Sequence, residues 1–215
     1  MRLAELSERS GVSTATIKYY LREGLLTPGR RVSATQAEYD DEHLRRLRLV
    51  RALILVGRVP VARAREVLAA VDDESTGLTG RLGAAFSALP RGGHEAGQDD
   101  PATVDAAREV EQLLERLGWR GAREIDNRSP EHHSLVASVA TLIRLGYACD
   151  ADLLLPYAEQ AERLAALDFE ALEGYPTAVE KIEAAVVYTV LLEPVLLSLK
   201  RIAQENESAR RYGVG

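Results

Sequence analysis

Residues 13–22, STATIKYYLR, bring hydroxyl, amine and phenol groups together on one short helical stretch. Serine and threonine hydroxyls and a lysine amine donate hydrogen bonds, and a tyrosine phenol can donate while its ring packs against apolar neighbours. These groups suit contact with phosphate oxygens and with the edges of bases. The stretch therefore predicts a surface that meets a polyanion.

The charge of the chain is divided unevenly along its length. Residues 1–71 contain 13 Lys and Arg against 8 Asp and Glu, a net charge of +5, and the remainder contains 14 against 25, a net charge of −11. Phosphate neutralisation needs a local basic face rather than a basic whole, so we expect only the N-terminal part to meet a polyanion. Chance clustering of charge stays open as the alternative.

Composition excludes several classes of protein. Cys149 is the only cysteine, which rules out a disulfide framework within the chain and metal sites that need several thiolates. The first twenty residues are charged and lack the apolar core of a signal peptide. The longest apolar run, residues 186–199, is short for a membrane span and contains Glu193 and Pro194. We expect a soluble, cytoplasmic protein without membrane contact.

The periodicity of apolar residues is helical along nearly the whole chain. In residues 1–72 it predicts helix, helix, hairpin, helix, helix, with the turn and short hairpin in GLLTPGRRVSATQAEYDD. Asp40 and Asp41 can cap the third helix, whose apolar positions run to Ile54, and Pro60 suits the first turn of the fourth.

The stretch SERSGVSTATIKYY predicts a helix-turn-helix, since the small Ser7 and the turn residue Gly11 allow two short helices to cross closely. Ser13 should cap the second helix, which places the following hydroxyls and Lys18 on the turns that reach base edges and phosphates. Adjacent helical residues cannot point the same way, so one of Tyr19 and Tyr20 could instead belong to the core.

The string ELSERSGVSTATIKYYLREGLL, followed by DDEHLRRLRLVRALILVG and VPVARAREVL, resembles the DNA-binding domain of the MerR family of bacterial transcription regulators. The resemblance covers about residues 1–72. It implies a winged helix-turn-helix, a homodimer on a pseudo-palindromic operator in promoter double-stranded DNA, and twisting or bending of that DNA so that RNA polymerase can engage it. The predicted DNA-binding residues are Ser13, Thr14, Thr16, Lys18, Tyr19, Tyr20, Arg30 and Arg31.

Two stretches of the N-terminal part depart from a simple basic surface. The wing ends in QAEY at 36–39, where many family members have a basic motif, so Glu38 would repel phosphate if it faced DNA. Arg30 and Arg31 could substitute, or could be solvated loop residues. The arginines at 45, 46 and 48 on the third helix could contact DNA or could pair with acidic residues one turn earlier.

The rest of the chain predicts an all-helical architecture, which makes the fold mainly α with a small β-wing. Residues 73–117 form connecting helices around a loop at 90–101, and a stripe within 102–117 could form the dimer interface or pack inside the monomer. Residues 118–215 form a helical bundle for effector binding or oligomerisation. Its helices are predicted near 130–143, from Pro156 to Glu173, and from Pro176 towards Arg211 with a kink or break at Pro194.

A few side chains in the helical part are candidates for binding an effector. By analogy with the family, the effector is a small organic molecule. Glu193 lies in an apolar stretch and would need a cationic partner if buried, and aromatic rings commonly line ligand pockets. The candidates are Trp119, Tyr147, Tyr157, Tyr188 and Glu193, although each aromatic could equally be a core residue.

Three function classes follow. The first is an effector-responsive, sequence-specific transcription regulator, and the second is an effector-independent repressor or architectural DNA-binding protein whose helical part only oligomerises. The third, an enzyme, is not supported, because the chain shows no Ser/His/Asp order, phosphate loop or metal-ligand cluster. No cofactor is predicted.

Overall fold

The structure, a computed structural model, describes residues 1–33, 36–89, 100–119 and 129–213. The elements are α1 (Leu3–Ser10), α2 (Thr14–Arg22), β1 (Arg30–Arg31), β2 (Ala37–Glu38), α3 (Asp41–Arg51), a π-helical segment (Ala52–Val56), α4 (Val61–Asp72), α5 (Leu78–Ala88), α6 (Pro101–Leu117), α7 (Pro130–Arg144), α8 (Ala151–Leu172) and α9 (Ala178–Tyr212). The predicted mainly α fold with a small two-stranded wing is confirmed.

The chain divides into two compact units. The first, called the head here, consists of Met1–Leu89 together with Tyr175–Gly215, and the second consists of Pro90–Gly174. This division differs from the separate domain that the sequence predicted at residues 118–215. Helix α9, which belongs to that predicted domain, packs on α3, α4, α5 and the π-helical segment of the head. Most of the loop predicted at 90–101, residues 90–99, lies outside the described residues. Its last residue, Pro101, is already the first residue of α6.

The head begins with the predicted helix-turn-helix. Gly11 has φ +64°, a left-handed conformation that ends α1 and turns the chain into α2. Within the turn, the Ser7 hydroxyl donates to the Val12 carbonyl at 2.6 Å. Leu6 of α1 and Ile17 of α2 are fully buried, and the two helices contact each other as the sequence predicts.

The wing is a short antiparallel hairpin in which Arg30 lies opposite Glu38 and Arg31 opposite Ala37. Its second strand is fastened to the start of the chain, because the Met1 amino group donates to the Tyr39 carbonyl at 2.7 Å and the Tyr39 amide donates to the Met1 carbonyl at 2.9 Å. These bonds fix the wing beside α1.

Helices α3 and α4 complete the head's N-terminal part. Asp40 caps α3 as predicted, with its carboxylate accepting from the His43 amide at 3.1 Å. The final stretch of the third helix, which includes Ile54, is π-helical. Pro60 lies one residue before α4, as its N-cap.

Helix α9 runs unbroken through Pro194, so of the predicted kink or break the break is wrong. A proline removes one amide donor and can bend a helix without ending it. At the other end, the helix is started by Thr177, which forms a capping box with Glu180. Over an 18-residue window its mean hydropathy is 1.8, and by length and composition alone it could cross a membrane.

The second unit is built from α6, α7 and α8. Its core joins residues of α6 to residues of α7 and to Cys149: Ala106, Val110, Leu114, Val136, Val139, Ala140 and Cys149. The apolar face of α6 is thus covered within the unit, although Val104 at its start is exposed. Helix α8 begins at Ala151, because Asp150 caps it by accepting from the Leu153 amide at 2.8 Å, and Pro156 lies inside the helix.

Candidate nucleic-acid interface

One face of α2 is free for contact with a large partner. At about 100° per residue, Thr14, Ala15, Lys18 and Arg22 fall on the same side of the helix, and all four are exposed. Ile17 lies on the opposite side and is buried. The exposed face, called the α2 face here, carries one hydroxyl and two cations.

The first turn of α2 is held by a cap that uses two predicted site residues. The Ser13 hydroxyl accepts from the Thr16 amide at 3.1 Å and lies 2.8 Å from the Thr16 hydroxyl. Thr16 points away from the α2 face and is half-buried. We therefore place Thr16 in the cap, while Ser13 and Thr14 stay exposed at the end of the helix.

The two adjacent tyrosines have different environments. Tyr19 is 37% exposed at the edge of the α2 face, whereas Tyr20 is 3% exposed and its ring belongs to the core. Burial raises the pKa of the Tyr20 phenol, with the nearby Arg51 opposing the shift. The assignment of Tyr20 to the DNA-binding set is therefore corrected, because its ring packs inward beside Ile17.

Arg22 belongs to the α2 face although the sequence analysis did not select it. Its guanidinium carbon lies 5.9 Å from the centre of the Tyr19 ring, a cation–π distance. The signal was present in the sequence, since Arg22 follows Lys18 by four residues and so shares its face. Arg22 extends the cationic part of the face by one turn.

The wing offers less positive charge than its two arginines suggest. Arg30 forms an ion pair with Glu38 across the hairpin, so the acidic residue that departs from the family motif neutralises Arg30. The Arg31 Nε donates to the Ser33 carbonyl at 3.3 Å. Both arginines are exposed. An open groove of about 430 Å³ separates α2 from the wing and is lined by Leu21, Pro28, Gly29, Arg31, Ser33, Gln36, Ala37 and Tyr39.

Two of the arginines of α3 are engaged within the head rather than offered to DNA. Arg46 forms an ion pair with Asp72 and lies 3.9 Å from a Glu183 oxygen, and Arg45 lies 3.8 Å from the other. Arg48 is exposed. The sequence left open whether these arginines pair with acidic residues, and the partners come from α4 and α9 rather than from the preceding turn.

Two further arginines donate hydrogen bonds to residues at the ends of α1 and α2. The Arg51 guanidinium donates to the Ser10 carbonyl at 2.7 Å, at the end of α1. Arg65 of α4 donates to the Glu23 carbonyl at 2.9 Å and to its carboxylate at 3.1 Å, at the end of α2. These contacts fix both helix ends relative to α3 and α4.

The effector candidates divide between the two units. In the second unit, the Trp119 indole donates to Glu162 at 3.0 Å, while Tyr147 and Tyr157 are mostly exposed. In the head, the Tyr188 hydroxyl lies 3.3 Å from that of Tyr175.

Glu193 is exposed, so the condition under which it would need a cationic partner, burial among its apolar neighbours, is not met. The buried carboxylate of α9 is Glu183, which the sequence analysis did not select.

The curated proteins that this chain matches align with only part of it. Residues 1–71 match the family described as MerR HTH family regulatory protein. The chain is 36% identical over 50 residues to the HTH-type transcriptional regulator ZntR homolog of Haemophilus influenzae, and 36% identical over 75 residues to heavy metal-dependent transcription regulator 2 of Rhizobium meliloti. These matches cover 23% and 35% of this chain, and the chain spans only 37% and 50% of the two relatives.

A solved structure matches over the whole length. It is described as "putative transcriptional regulator SCO5550" of Streptomyces coelicolor A3(2), is 56% identical with a TM-score of 0.84, and the match covers 100% of this chain and 99% of that one. The winged helix-turn-helix and the exposed basic α2 face are the features expected of a DNA-binding regulator, and the matches are to proteins described as transcriptional regulators. Residues 1–71 form a helix-turn-helix domain of the MerR family, and the whole chain is similar to a protein described as a transcriptional regulator.

Proposed function

We propose that this protein is a sequence-specific regulator that binds promoter DNA as a homodimer, distorts it for RNA polymerase, and responds to a small organic effector in the bacterial cytoplasm. The observation that carries the proposal is the α2 face, with Thr14 on the first turn and Lys18 and Arg22 on the next two. Recognition helices contact base edges near their N-terminus and phosphates around it. The arrangement of hydroxyl and cations on α2 fits both tasks.

The homodimer is supported by the small size of the α2 face. One α2 face can reach only one half-site, and a two-fold pair would address half-sites about 34–36 Å apart along the duplex. Distortion of the DNA between them would make part of the specificity depend on its deformability. RNA polymerase bound at the same promoter is the partner that would respond to this distortion.

The proposed effector is a small organic molecule. Exposed rings at Tyr147 and Tyr157 suit an organic ligand. One curated relative is named as heavy metal-dependent, and the described residues hold no group of three or more His, Cys, Asp or Glu placed to bind a metal ion. A thermal-shift screen should therefore include metal salts beside organic compounds, since a ligand of the folded state raises the melting temperature.

The second candidate is an effector-independent repressor or architectural protein. The apolar residues of α6 and α7 form the core of their own unit, so the oligomerising surface of such a protein would lie elsewhere. A ligand that stabilises the protein and changes promoter output would support the first candidate over this one. Neither candidate is an enzyme, in keeping with the regulator names of its relatives.

The test of DNA binding is a nuclease footprint on the DNA upstream of the protein's own gene, followed by genome-wide binding selection. We expect a protected pseudo-palindrome with hypersensitive cleavage at its centre. Lys18→Ala should weaken binding and reduce the salt slope by about one unit, because one phosphate contact is lost.

Arg163→Ala is the matched control, since it removes one exposed cation from α8 in the second unit. It should leave the footprint and the salt slope unchanged. No selected site, or equal affinity of Lys18→Ala and the unsubstituted protein at every salt concentration, would remove the α2 face from DNA binding.

A further inference from the structure

The α2 face carries one apolar side chain on its first turn. Ala15 is exposed, although an alanine side chain offers neither a hydrogen bond nor a charge. At about 100° per residue, Ala15 lies about 20° around the helix from Arg22 and about 60° from Lys18, so the three share one side. The methyl group of Ala15 is therefore presented to whatever the α2 face binds.

The hydroxyl groups on either side of Ala15 are partly used by the helix cap. The Ser13 and Thr16 hydroxyls lie 2.8 Å apart, and the Ser13 hydroxyl also accepts from the Thr16 amide at 3.1 Å. The two residues between them, Thr14 and Ala15, are exposed and small. Small side chains let a helix approach a neighbouring surface closely, as they do between packed helices. The first turn of α2 is therefore suited to close contact with base edges.

The side-chain types of α2 restrict which bases the helix can read. In the major groove, Asn and Gln pair with adenine, Asp and Glu accept from cytosine, and Arg and Lys donate to guanine. Helix α2, Thr14–Arg22, contains no Asn, Gln, Asp or Glu. Glu23, just beyond its end, has its carboxylate bonded to Arg65. The side chains of α2 therefore match guanine through the cations and thymine through an apolar contact.

The surroundings of Ala15 suit the methyl group of thymine. Tyr19 follows Ala15 by four residues, which makes the two side chains neighbours on the helix surface. The Tyr19 ring is 37% exposed, and the Arg22 guanidinium carbon lies 5.9 Å from its centre. The alanine methyl and the tyrosine ring thus form an apolar surface bordered by cations. The C5 methyl of thymine is the apolar group that a base pair presents in the major groove, and it gains hydrophobic free energy on leaving water.

We propose that Ala15 is a specificity-determining residue of the α2 face, whose methyl group contacts the C5 methyl group of a thymine in each operator half-site. The inference rests on the proposed function, since it requires α2 in the major groove, and it adds the identity of one base to that function. The contact selects sequence because adenine, guanine and cytosine present no methyl group there. Phosphate contacts by the neighbouring cations add affinity without selecting a base.

The first test removes only the methyl group of the DNA. Operators are selected from a random-sequence duplex library with the full-length protein, and each thymine of one half-site is replaced in turn by uracil, which lacks the C5 methyl. At one thymine we expect about a fourfold rise in the dissociation constant, the effect of one buried methyl group. Cytosine at the same position should also weaken binding, and 5-methylcytosine should restore part of the affinity, because it returns the methyl group to the same place in the groove.

The second test assigns the methyl contact to Ala15. In Ala15→Gly, the ratio of the dissociation constants for uracil and thymine at that position should fall from about four to about one. Because the ratio compares two DNAs with one protein, any change in the amount of folded protein cancels. Ala62→Gly is the matched control, since it removes the same methyl group from an exposed alanine of α4 and should leave the ratio unchanged. Ala15→Gln should move the preference towards adenine, because glutamine pairs with the adenine edge.

The possible outcomes separate this inference from the proposed function. Tight binding to a selected operator that is unaffected by uracil at every thymine would overturn the inference and leave the proposed function intact. A uracil effect that persists unchanged in Ala15→Gly would assign the thymine to another side chain, such as the neighbouring Thr14, and would also overturn it. Failure of the full-length protein to select any operator would contradict the proposed function and, with it, the inference.

Discussion

At the residue scale, the environment of a carboxylate follows from its partners in space. Glu193 is exposed although its sequence neighbours are apolar. Glu183 is buried against Arg45 and Arg46, with Asp72 and Glu42 also close enough to affect its charge. Burial raises the pKa of the Glu183 carboxyl above its usual value, and the two guanidinium groups oppose that shift.

Substituting Glu183 should change how stability depends on pH. Because its pKa is raised in the folded state, the folded protein holds a proton that the unfolded chain releases, and the free energy of unfolding falls as pH rises from 4.5 through the raised pKa. Glu183→Gln keeps the shape and removes the titration. Urea denaturation at a series of pH values should show the unsubstituted protein losing stability relative to the variant across this range. Parallel pH profiles would indicate an ordinary pKa.

A second residue-scale prediction concerns Arg22, which lies on the α2 face beside Tyr19. Arg22→Ala should weaken DNA binding about equally for all operator variants and lower the salt slope by about one unit, as expected for a phosphate contact. Titrations at several salt concentrations measure both quantities. Loss of preference at one operator position, with the salt slope unchanged, would assign Arg22 to a base instead.

At the element scale, short helices depend on how they end. The turn between α1 and α2 requires the left-handed backbone of Gly11, and a Cβ there would lie 3.2 Å from the Arg51 guanidinium, which holds the end of α1. Gly83, in the middle of α5, has open space around it. The same residue type therefore has opposite roles at the two positions.

Alanine at these two glycines should have opposite effects. Gly11→Ala should lower the free energy of unfolding by about 1–2 kcal/mol, the cost of a left-handed conformation for an L-residue. Gly83→Ala should raise it by about 0.5–1 kcal/mol, because alanine favours a helix interior. Denaturant titration measures both, and a loss of stability at Gly83 as large as that at Gly11 would contradict this account of the turn.

At the scale of the whole molecule, the C-terminal helix is part of the head. Gly57 follows the π-helical segment, and a Cβ there would lie 2.5 Å from a methyl group of Val190 on α9 and 3.0 Å from the Leu53 carbonyl. This close approach joins residues far apart in sequence. It also links the body of α9 directly to the helix that follows the wing.

A double-mutant cycle tests this docking. Gly57→Ala should lower the free energy of unfolding by about 1–3 kcal/mol through overpacking. Val190→Ala removes the methyl groups that a new Cβ would meet, so it should cost less in the Gly57→Ala background than alone. Denaturant titration of the four proteins gives the coupling. Additive effects would show that α9 does not contact Gly57 in solution.

The sequence by itself determined the elements whose signals are local. The Ser13 and Asp40 caps, the turn at Gly11 and the short wing follow from residue types within a few positions of one another, and the structure has all of them. Most of the α2 face could be predicted for the same reason, because the helical period decides which side chains lie on the same side of a helix.

Tertiary structure decided what depends on partners distant in the chain. Adjacent tyrosines look alike in sequence, and only packing buried Tyr20 and left Tyr19 at the surface. Pro156 looked like a helix start and Pro194 like a kink or break, yet both lie inside helices that begin at the caps Asp150 and Thr177. The docking of α9 on the head, which buries Glu183, could not be read from local pattern, because burial is a property of three-dimensional neighbours.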